Sequence, residues 1–393
     1  MSSVYRRVLA PPGALAFTLS GLLGRLGYAM QGVSVLTAVV ARRHSYALAG
    51  TVSAAGLLGV AVCLPLLGRL VDRHGQYRVT LLSALGSTLP QLTLVLLLHR
   101  QAPCWALALA AFAAASSPNL GGMARARWSR LHAADPAALH GANALEQALD
   151  ELCFMGGPVL GMLLCAAWPE AGLLTVCALT TVGGLCFALQ RGTEPPVTAP
   201  AAGRRPVGRG VLPLLAVFFG TGILFGSLEI STLAWAGAQG HRSAAGVLLG
   251  LQAAGSCLAG LLYGLRATGG PTARRLLLGL AAMTALLLLP LTAAQLGAGL
   301  GGFALAMLLA GTGTAPTMVS GMTLLQRLLP ASALNAGLAA AVSAIVTGSS
   351  AGSALGGLLI QHTAPATGFA LPAAAAALAL LLARAASARL SPA

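Results

Sequence analysis

The chain has 393 residues, of which 57% are hydrophobic and only 8% charged, whereas soluble domains carry about 25% charged residues. That deficit excludes a free soluble enzyme, a nucleic-acid binder and a disordered protein. The formal net charge of +15 does not restore a nucleic-acid reading, because the basic residues are scattered between apolar runs and form no continuous face. This is the composition of a polytopic membrane protein. All 23 basic residues are arginine, which with the heavy Ala, Gly and Leu usage suggests a high-GC bacterial source. The seven cysteines contain no CxxC pair and read as small buried hydrophobes, not as metal ligands or disulfides.

Residues 1–12 place Arg6 and Arg7 ahead of a long apolar run with no convincing cleavage site after it, so that run reads as a retained helix, not a signal peptide. A crossing helix needs about 20 apolar residues. Twelve such runs follow in chain order: 13–41, 46–68, 79–98, 104–124, 141–168, 171–190, 211–237, 244–265, 275–295, 299–325, 335–361 and 367–386. The expected fold is an all-α membrane protein of twelve transmembrane helices.

Arginine placement orients it. One side carries Arg6, Arg7, Arg69, Arg73, Arg78, Arg125, Arg127, Arg130, Arg191, Arg204, Arg205, Arg209, Arg266, Arg274, Arg275, Arg327, Arg384 and Arg389, the other only Arg42, Arg43, Arg100 and Arg242. Positive charge stays inside, so both termini are expected in the cytoplasm and the chain in a bacterial cell membrane. Trp105, Trp168 and Trp235 fall at outer helix ends and Trp128 at an inner one, as an aromatic belt requires.

Residues 191–210, with Thr193-Glu194-Pro195-Pro196 and Gly203-Arg204-Arg205-Pro206, form the longest polar interruption. They read as a cytoplasmic linker between six-helix bundles at 1–190 and 211–393. The halves echo each other. Gly68 and Arg78 recur as Gly264 and Arg274, and Gly157 and Gly161 as Gly352 and Gly356. Two bundles related by a pseudo-two-fold axis along the membrane normal are expected, with a substrate site at their interface.

The loop after the second run reads Gly68-Arg69-Leu70-Val71-Asp72-Arg73-His74-Gly75-Gln76-Tyr77-Arg78. It resembles the signature loop of the major facilitator superfamily, G-x-L-x-D-R-x-G-x-x-R, and lies in the matching inter-helix position. The resemblance implies a cytoplasmic gating role for Gly68, Asp72, Arg73, Gly75 and Arg78, with Asp72 paired to arginines and to the start of a helix from the other half. Gly157-Pro158-Val159-Leu160-Gly161 is similar to the antiporter motif of drug-exporting members, G-P-x-x-G-G, departing from it at Met162. Its small residues permit close helix approach and Pro158 bends the helix.

Charges within the runs are costly, about 2.5–3.5 kcal/mol each on insertion scales, and so mark function. Arg25 in the first run and Asp150 and Glu151 in the fifth fall at similar depth. Asn143, Glu146, Gln147, Asp150 and Glu151 form one polar stripe at helical spacing. Glu146 and Asp150 stand four apart, where like charges repel, so one of these acids is expected to hold a proton unless Arg25 compensates. Two readings follow: Asp150 or Glu151 carries a transported proton against Arg25, or Arg25 and Asp150 form a permanent ion pair. Glu229, in the seventh run, suits cation recognition, a second protonation site or an outer-gate hydrogen bond. Hydroxyls around Pro316 (Thr312, Thr314, Thr317, Ser320, Thr323) and Pro118-Asn119 either line a cavity or bond helix backbone. The histidines lie at helix ends, and no nucleotide loop, metal cluster or catalytic constellation appears.

The expectation is a non-enzymatic secondary transporter working by alternating access, without cofactor. It would export small hydrophobic compounds or metabolites in exchange for protons, as a monomer in the lipid bilayer with no nucleic-acid partner. Proton symport or facilitated uptake is the alternative within transport. The membrane subunit of an ATP-driven carrier or an integral membrane enzyme is the alternative outside it.

Overall fold

The computed structural model describes residues 2–197, 210–241, 244–265 and 271–387, with backbone alone at residues 2, 3, 46 and 47. Residues 198–209 of the expected linker, with Arg204, Arg205 and Arg209, and also Arg242, Arg266 and Arg389, lie outside the described residues. The described residues form α-helices and short 3₁₀ turns. In the first half these are α1 (Ser2–Leu9), α2 (Ala14–Arg43), α3 (Tyr46–His74), α4 (Gln76–His99), α5 (Cys104–Ala114), α6 (Leu120–Leu131), α7 (Pro136–Ala167) and α8 (Ala171–Leu189). The second half holds α9 (Val211–Ala238), α10 (Ala244–Leu265), α11 (Thr272–Gln295), α12 (Gly299–Gly311), α13 (Thr314–Leu328), α14 (Leu334–His362) and α15 (Ala370–Ala385).

Among the described residues, 11 helical stretches are long and apolar enough to cross a membrane. The twelfth crossing is the expected fourth run, which is not the single helix expected over 104–124. It breaks after Ala114 and restarts at Leu120. Pro118 supplies no amide and keeps the preceding residue out of the helical region, and the Asn119 carboxamide oxygen caps α6 by accepting from Gly122 N at 3.0 Å. The tenth run also breaks, at Thr312-Gly313, between α12 and α13.

The repeated glycines do the same work in each half. A β-carbon at Gly157 would stand 2.8 Å from the Ala29 β-carbon, so α7 rides directly on α2. Gly352 and Gly356 let α14 ride on α9 at Ile223, Ser227 and Ile230. Between halves, Gly68 of α3 lies against α14, where a β-carbon would be 2.8 Å from Ala336 Cα, and its echo Gly264 of α10 lies against Gly141 and Ala144 of α7. Exchanging the halves maps each contact onto the other: two bundles related by a pseudo-two-fold axis.

The aromatic-belt expectation divides. Trp105 and Trp168 are exposed. Trp128 and Trp235 are buried, Trp128 packed with Phe17 and Trp235 stacked on Phe303 at 4.0 Å between ring centres. Each lies on a helix face turned into its own bundle.

Candidate functional site: an inter-half contact at Asp72 and a buried charge cluster

The motif loop makes its contact with the second half at the end of α3. Asp72 accepts from Asn335 N at 3.0 Å, Asn335 Nδ2 at 2.8 Å and Ala336 N at 2.8 Å, so its carboxylate caps the first turn of α14 across the bundle interface. Three donors satisfy it. Among the described residues no arginine forms an ion pair with Asp72, contrary to the expected arginine partners; Arg73 and Arg78 are exposed. Gly75 takes φ +88°, a region that favours glycine, and a β-carbon there would meet Glu194 Oε1 at 2.8 Å. That oxygen accepts from Tyr77 N at 2.9 Å.

A second layer was not expected from the sequence. Asn335 Oδ1 accepts from Gln76 Nε2 at 3.2 Å, and Gln76 Oε1 accepts from Arg127 Nε at 2.8 Å. Arg127, read from sequence as one of the inner-side arginines, is buried. It donates to Gln190 O, Thr193 Oγ1 and Phe187 O, and lies 3.9 Å over the Phe187 ring centre. A continuous hydrogen-bonded chain thus joins α14 to α4, α6 and the turn after α8. Gln76 is one of the motif's variable positions, which hid its role.

Further along the first half from this contact lies the charge cluster. Arg25 Nη1 pairs with Glu146 Oε2 at 2.7 Å and Asp150 Oδ1 at 2.9 Å, and Arg125 Nη2 pairs with Asp150 Oδ2 at 2.7 Å. Trp128 Nε1 donates to Glu146 Oε1 at 2.7 Å. Arg125, read from sequence as an inner-loop charge, is 3% exposed and part of this cluster. Two guanidiniums face two carboxylates, which removes the repulsion expected to force a proton onto one of them.

The polar stripe on α7 therefore splits. Glu146 and Asp150 turn toward α2 and α6, whereas Asn143, Gln147 and Glu151 turn toward the second half. Asn143 Nδ2 donates to Thr323 Oγ1 at 3.0 Å and Gln326 Oε1 at 2.7 Å. Glu151 Oε1 accepts from Ser256 Oγ of α10 at 2.8 Å and from Gln147 Nε2 at 3.1 Å. Arg25 is not its counter-charge, contrary to one expected pairing; among the described residues Glu151 has no ion pair.

Glu229 on α9 is exposed and separate from the cluster. Gly157, Pro158 and Gly161 sit further along α7, where Gly157 and Gly161 seat it on α2 and a β-carbon at Gly161 would lie 2.9 Å from Ser34 Oγ. The hydroxyls of α13 serve mostly as ties. Thr317 donates to Gly313 O, Ser320 shares a hydrogen bond with the Tyr263 hydroxyl, and Thr323 accepts from Asn143. Among the described residues no cluster of His, Cys, Asp and Glu is arranged to hold a metal ion.

No curated protein sequence matches the chain. Solved structures share its fold. A bacterial homologue of the iron transporter ferroportin, in an outward-facing state, is 18% identical with a TM-score of 0.77, covering 95% of this chain and 99% of that one. The human organic anion transporter MFSD10 (TETRAN) is 18% identical with a TM-score of 0.72, covering 95% and 100%. The E. coli fucose:proton symporter FucP is 14% identical with a TM-score of 0.66, covering 94% and 98%. Residues 17–300 match the family model of the Major Facilitator Superfamily, and the chain belongs to that family of multi-pass membrane transporters.

Proposed function

We propose that the protein is a proton-coupled secondary transporter that exports small, largely apolar compounds by alternating access. Its bundles would be residues 1–190 and 211–393, joined by a linker at 191–210. The observation that carries this reading is Glu151. It is a carboxyl at the interface of the two bundles whose partners are a hydroxyl and an amide. Such a group can take up or release a proton without stranding a guanidinium, which Asp150 and Glu146 cannot. Its bond to Ser256 also breaks when α7 and α10 part, so protonation and rocking act on the same contact. Asp72 on α14 supports the role of the motif residues as a gate, because a carboxylate on a helix N-terminus is a strong but separable contact.

The arginine-rich end is the cytoplasmic one on this reading, with both termini there, in a bacterial plasma membrane and as a monomer. On this reading the cytoplasmic gate is closed in the structure. FucP is a proton symporter, so proton coupling is at home on this fold, and the sense of transport is read here from the similarity of Gly157-Pro158-Val159-Leu160-Gly161 to the antiporter motif.

The test is purified protein in vesicles carrying an imposed pH gradient, with a panel of amphipathic compounds as cargo. Uptake into inverted vesicles driven by an acidic interior, and lost in Glu151→Gln, is expected. Transport that ignores the gradient, or keeps its full pH dependence in Glu151→Gln, contradicts the reading.

A further inference from the structure

The second half repeats the loop that makes the Asp72 contact, but the repeat is incomplete. Gly68 and Arg78 recur 196 positions later as Gly264 and Arg274, whereas the same spacing carries Asp72 to Thr268, which lies outside the described residues. Residues 264–274 contain no acid, so that loop has no carboxylate to place on α7 as Asp72 is placed on α14. The start of α7 is capped from its own chain instead. Asp135 Oδ1 accepts from Ala137 N at 3.1 Å and from Ala138 N at 3.0 Å, whereas α14 has no side-chain cap from its own N-cap residue, Ala333.

The seam between α7 and α10 is crossed by donors that run the other way, onto the last turn of α10. His140 Nε2 lies 3.0 Å from Tyr263 O, and because a carbonyl only accepts, that nitrogen carries the proton. Tyr263 O is one of the four final carbonyls that a helix cannot satisfy within itself. The second donor comes from α1: Tyr5 Oη donates to Leu261 O at 2.7 Å, 256 positions away.

The packing of α1 holds that hydroxyl in place. Val8 is fully buried in the first half with Phe17 and Trp128, and Val8 O accepts from His132 Nε2 at 3.2 Å. Arg7 lies 3.8 Å from Asp135, the residue that caps α7. Gly141 of α7 makes room for the helix, since a β-carbon there would stand 3.0 Å from Val4 Cγ1 and 3.3 Å from Val8 Cγ2. Gly264, the echo of Gly68, makes room for the phenol: its β-carbon would lie 2.8 Å from Tyr5 Oη. The helix is thus anchored on the first bundle and reaches the second through the Tyr5 hydroxyl.

We propose that α1 is the latch of the second repeat. The Tyr5 hydroxyl on Leu261 does for the α7–α10 seam what Asp72 does for the α3–α14 seam, and its release sets how readily this end of the molecule opens. This rests on the alternating access of the reading above, and not on its proton or its cargo.

The experiment is alkylation by N-ethylmaleimide of purified full-length protein carrying Ala148→Cys, followed site by site with peptide mass spectrometry. Ala148 is 2% exposed, and its carbonyl oxygen lies 4.0 Å from Cys257 Sγ of α10. The native Cys153, buried on α7 with its Sγ 3.9 Å from Leu22 O of α2, reports any loosening within the first half. Tyr5→Phe keeps the ring and removes only the clasp. It should accelerate labelling of the introduced thiol about fivefold, the fold-change of one neutral hydrogen bond, and a chain lacking residues 2–9 should do so at least as much. Labelling of Cys153 should stay unchanged in both. Unchanged labelling of the introduced thiol in Tyr5→Phe, or equal acceleration at Cys153, overturns the latch; Tyr5→Phe decides alone if the shortened chain fails to fold. Labelling needs neither cargo nor gradient. Faster labelling without gradient-driven transport would therefore sink the transport reading alone, and gradient-driven transport with unchanged labelling would sink the latch alone.

Discussion

Asp72 and Asn335 lie 263 positions apart yet are joined by two hydrogen bonds, from the Asn335 backbone amide at 3.0 Å and its side-chain amide at 2.8 Å. The same asparagine passes the contact on to Gln76 and Arg127. The contact is therefore one polar patch, shared by four side chains, on the seam between the halves. Its closeness depends on Gly68. A Gly68→Ala β-carbon would press on backbone, 2.8 Å from Ala336 Cα and 2.9 Å from Asn335 O, which cannot yield as a flexible side chain would. Alkylation of a cysteine placed at the buried Ala339 should accelerate at least about tenfold in Gly68→Ala, a shift of about 1.4 kcal/mol.

Asp150 and Glu151 should behave oppositely although adjacent. Asp150→Asn leaves Arg25 and Arg125 short of a carboxylate, and breaking a buried pair typically costs about 3–5 kcal/mol. A large loss of melting temperature is expected. Glu151→Gln can still accept from Ser256 and Gln147, so its stability should stay within about 1 kcal/mol of the parent while the pH dependence of transport disappears. Equal destabilisation by both would contradict the division of the α7 stripe.

At the far end of the first bundle, Arg42 holds Glu170 through two bonds, Nε to Oε1 at 2.6 Å and Nη2 to Oε2 at 2.9 Å. The Arg42 hydrogen bonds keep the Glu170 carboxyl below the usual glutamate range. A lowered value means that the ion pair stabilises the fold above the unfolded-state pKa of about 4.3 and stops doing so once pH falls through the lower folded value. Melting curves of the parent and Glu170→Gln should thus differ at pH 7 and converge on acidification below that range. A gap that persists in acid would show that packing, not charge, ties this turn.

Neighbouring glycines on α7 provide an internal control for the α2–α7 contact. Gly157→Ala would bring a methyl 2.8 Å from the Ala29 β-carbon and 3.1 Å from its carbonyl carbon, a crowding that costs about 1–3 kcal/mol. Gly156→Ala meets nothing within 4 Å and should be neutral or stabilising by up to about 1 kcal/mol. Calorimetric or fluorescence melts of the two variants separate these cases directly.

The parts of this molecule that follow from short-range rules could be read from its sequence. Twelve apolar runs, the loop at 68–78 and the glycine echoes between halves each depend on one segment at a time. What could not be read were pairings that cross segments. Arg125 and Arg127 resemble any positive-inside arginines until Pro118 breaks the fourth run and turns α6 to bring them inward. Asn335 gives no local sign that a carboxylate from 263 positions away will cap its helix. The polar stripe on α7 was visible as one face, but its two edges meet different bundles, and only the packing of α7 between α2 and α10 separates Asp150 from Glu151.

The most direct test of the account is a pulsed-EPR distance between spin labels at the exposed His74 and Ala331, in protein whose exposed Cys104 and Cys186 are serine. These sites flank the Asp72–Asn335 contact on opposite bundles. One short distance is expected in the parent, and a second, longer population in Asp72→Asn as the bundles part at this contact. An identical single distance in parent and variant would mean that this carboxylate holds nothing closed.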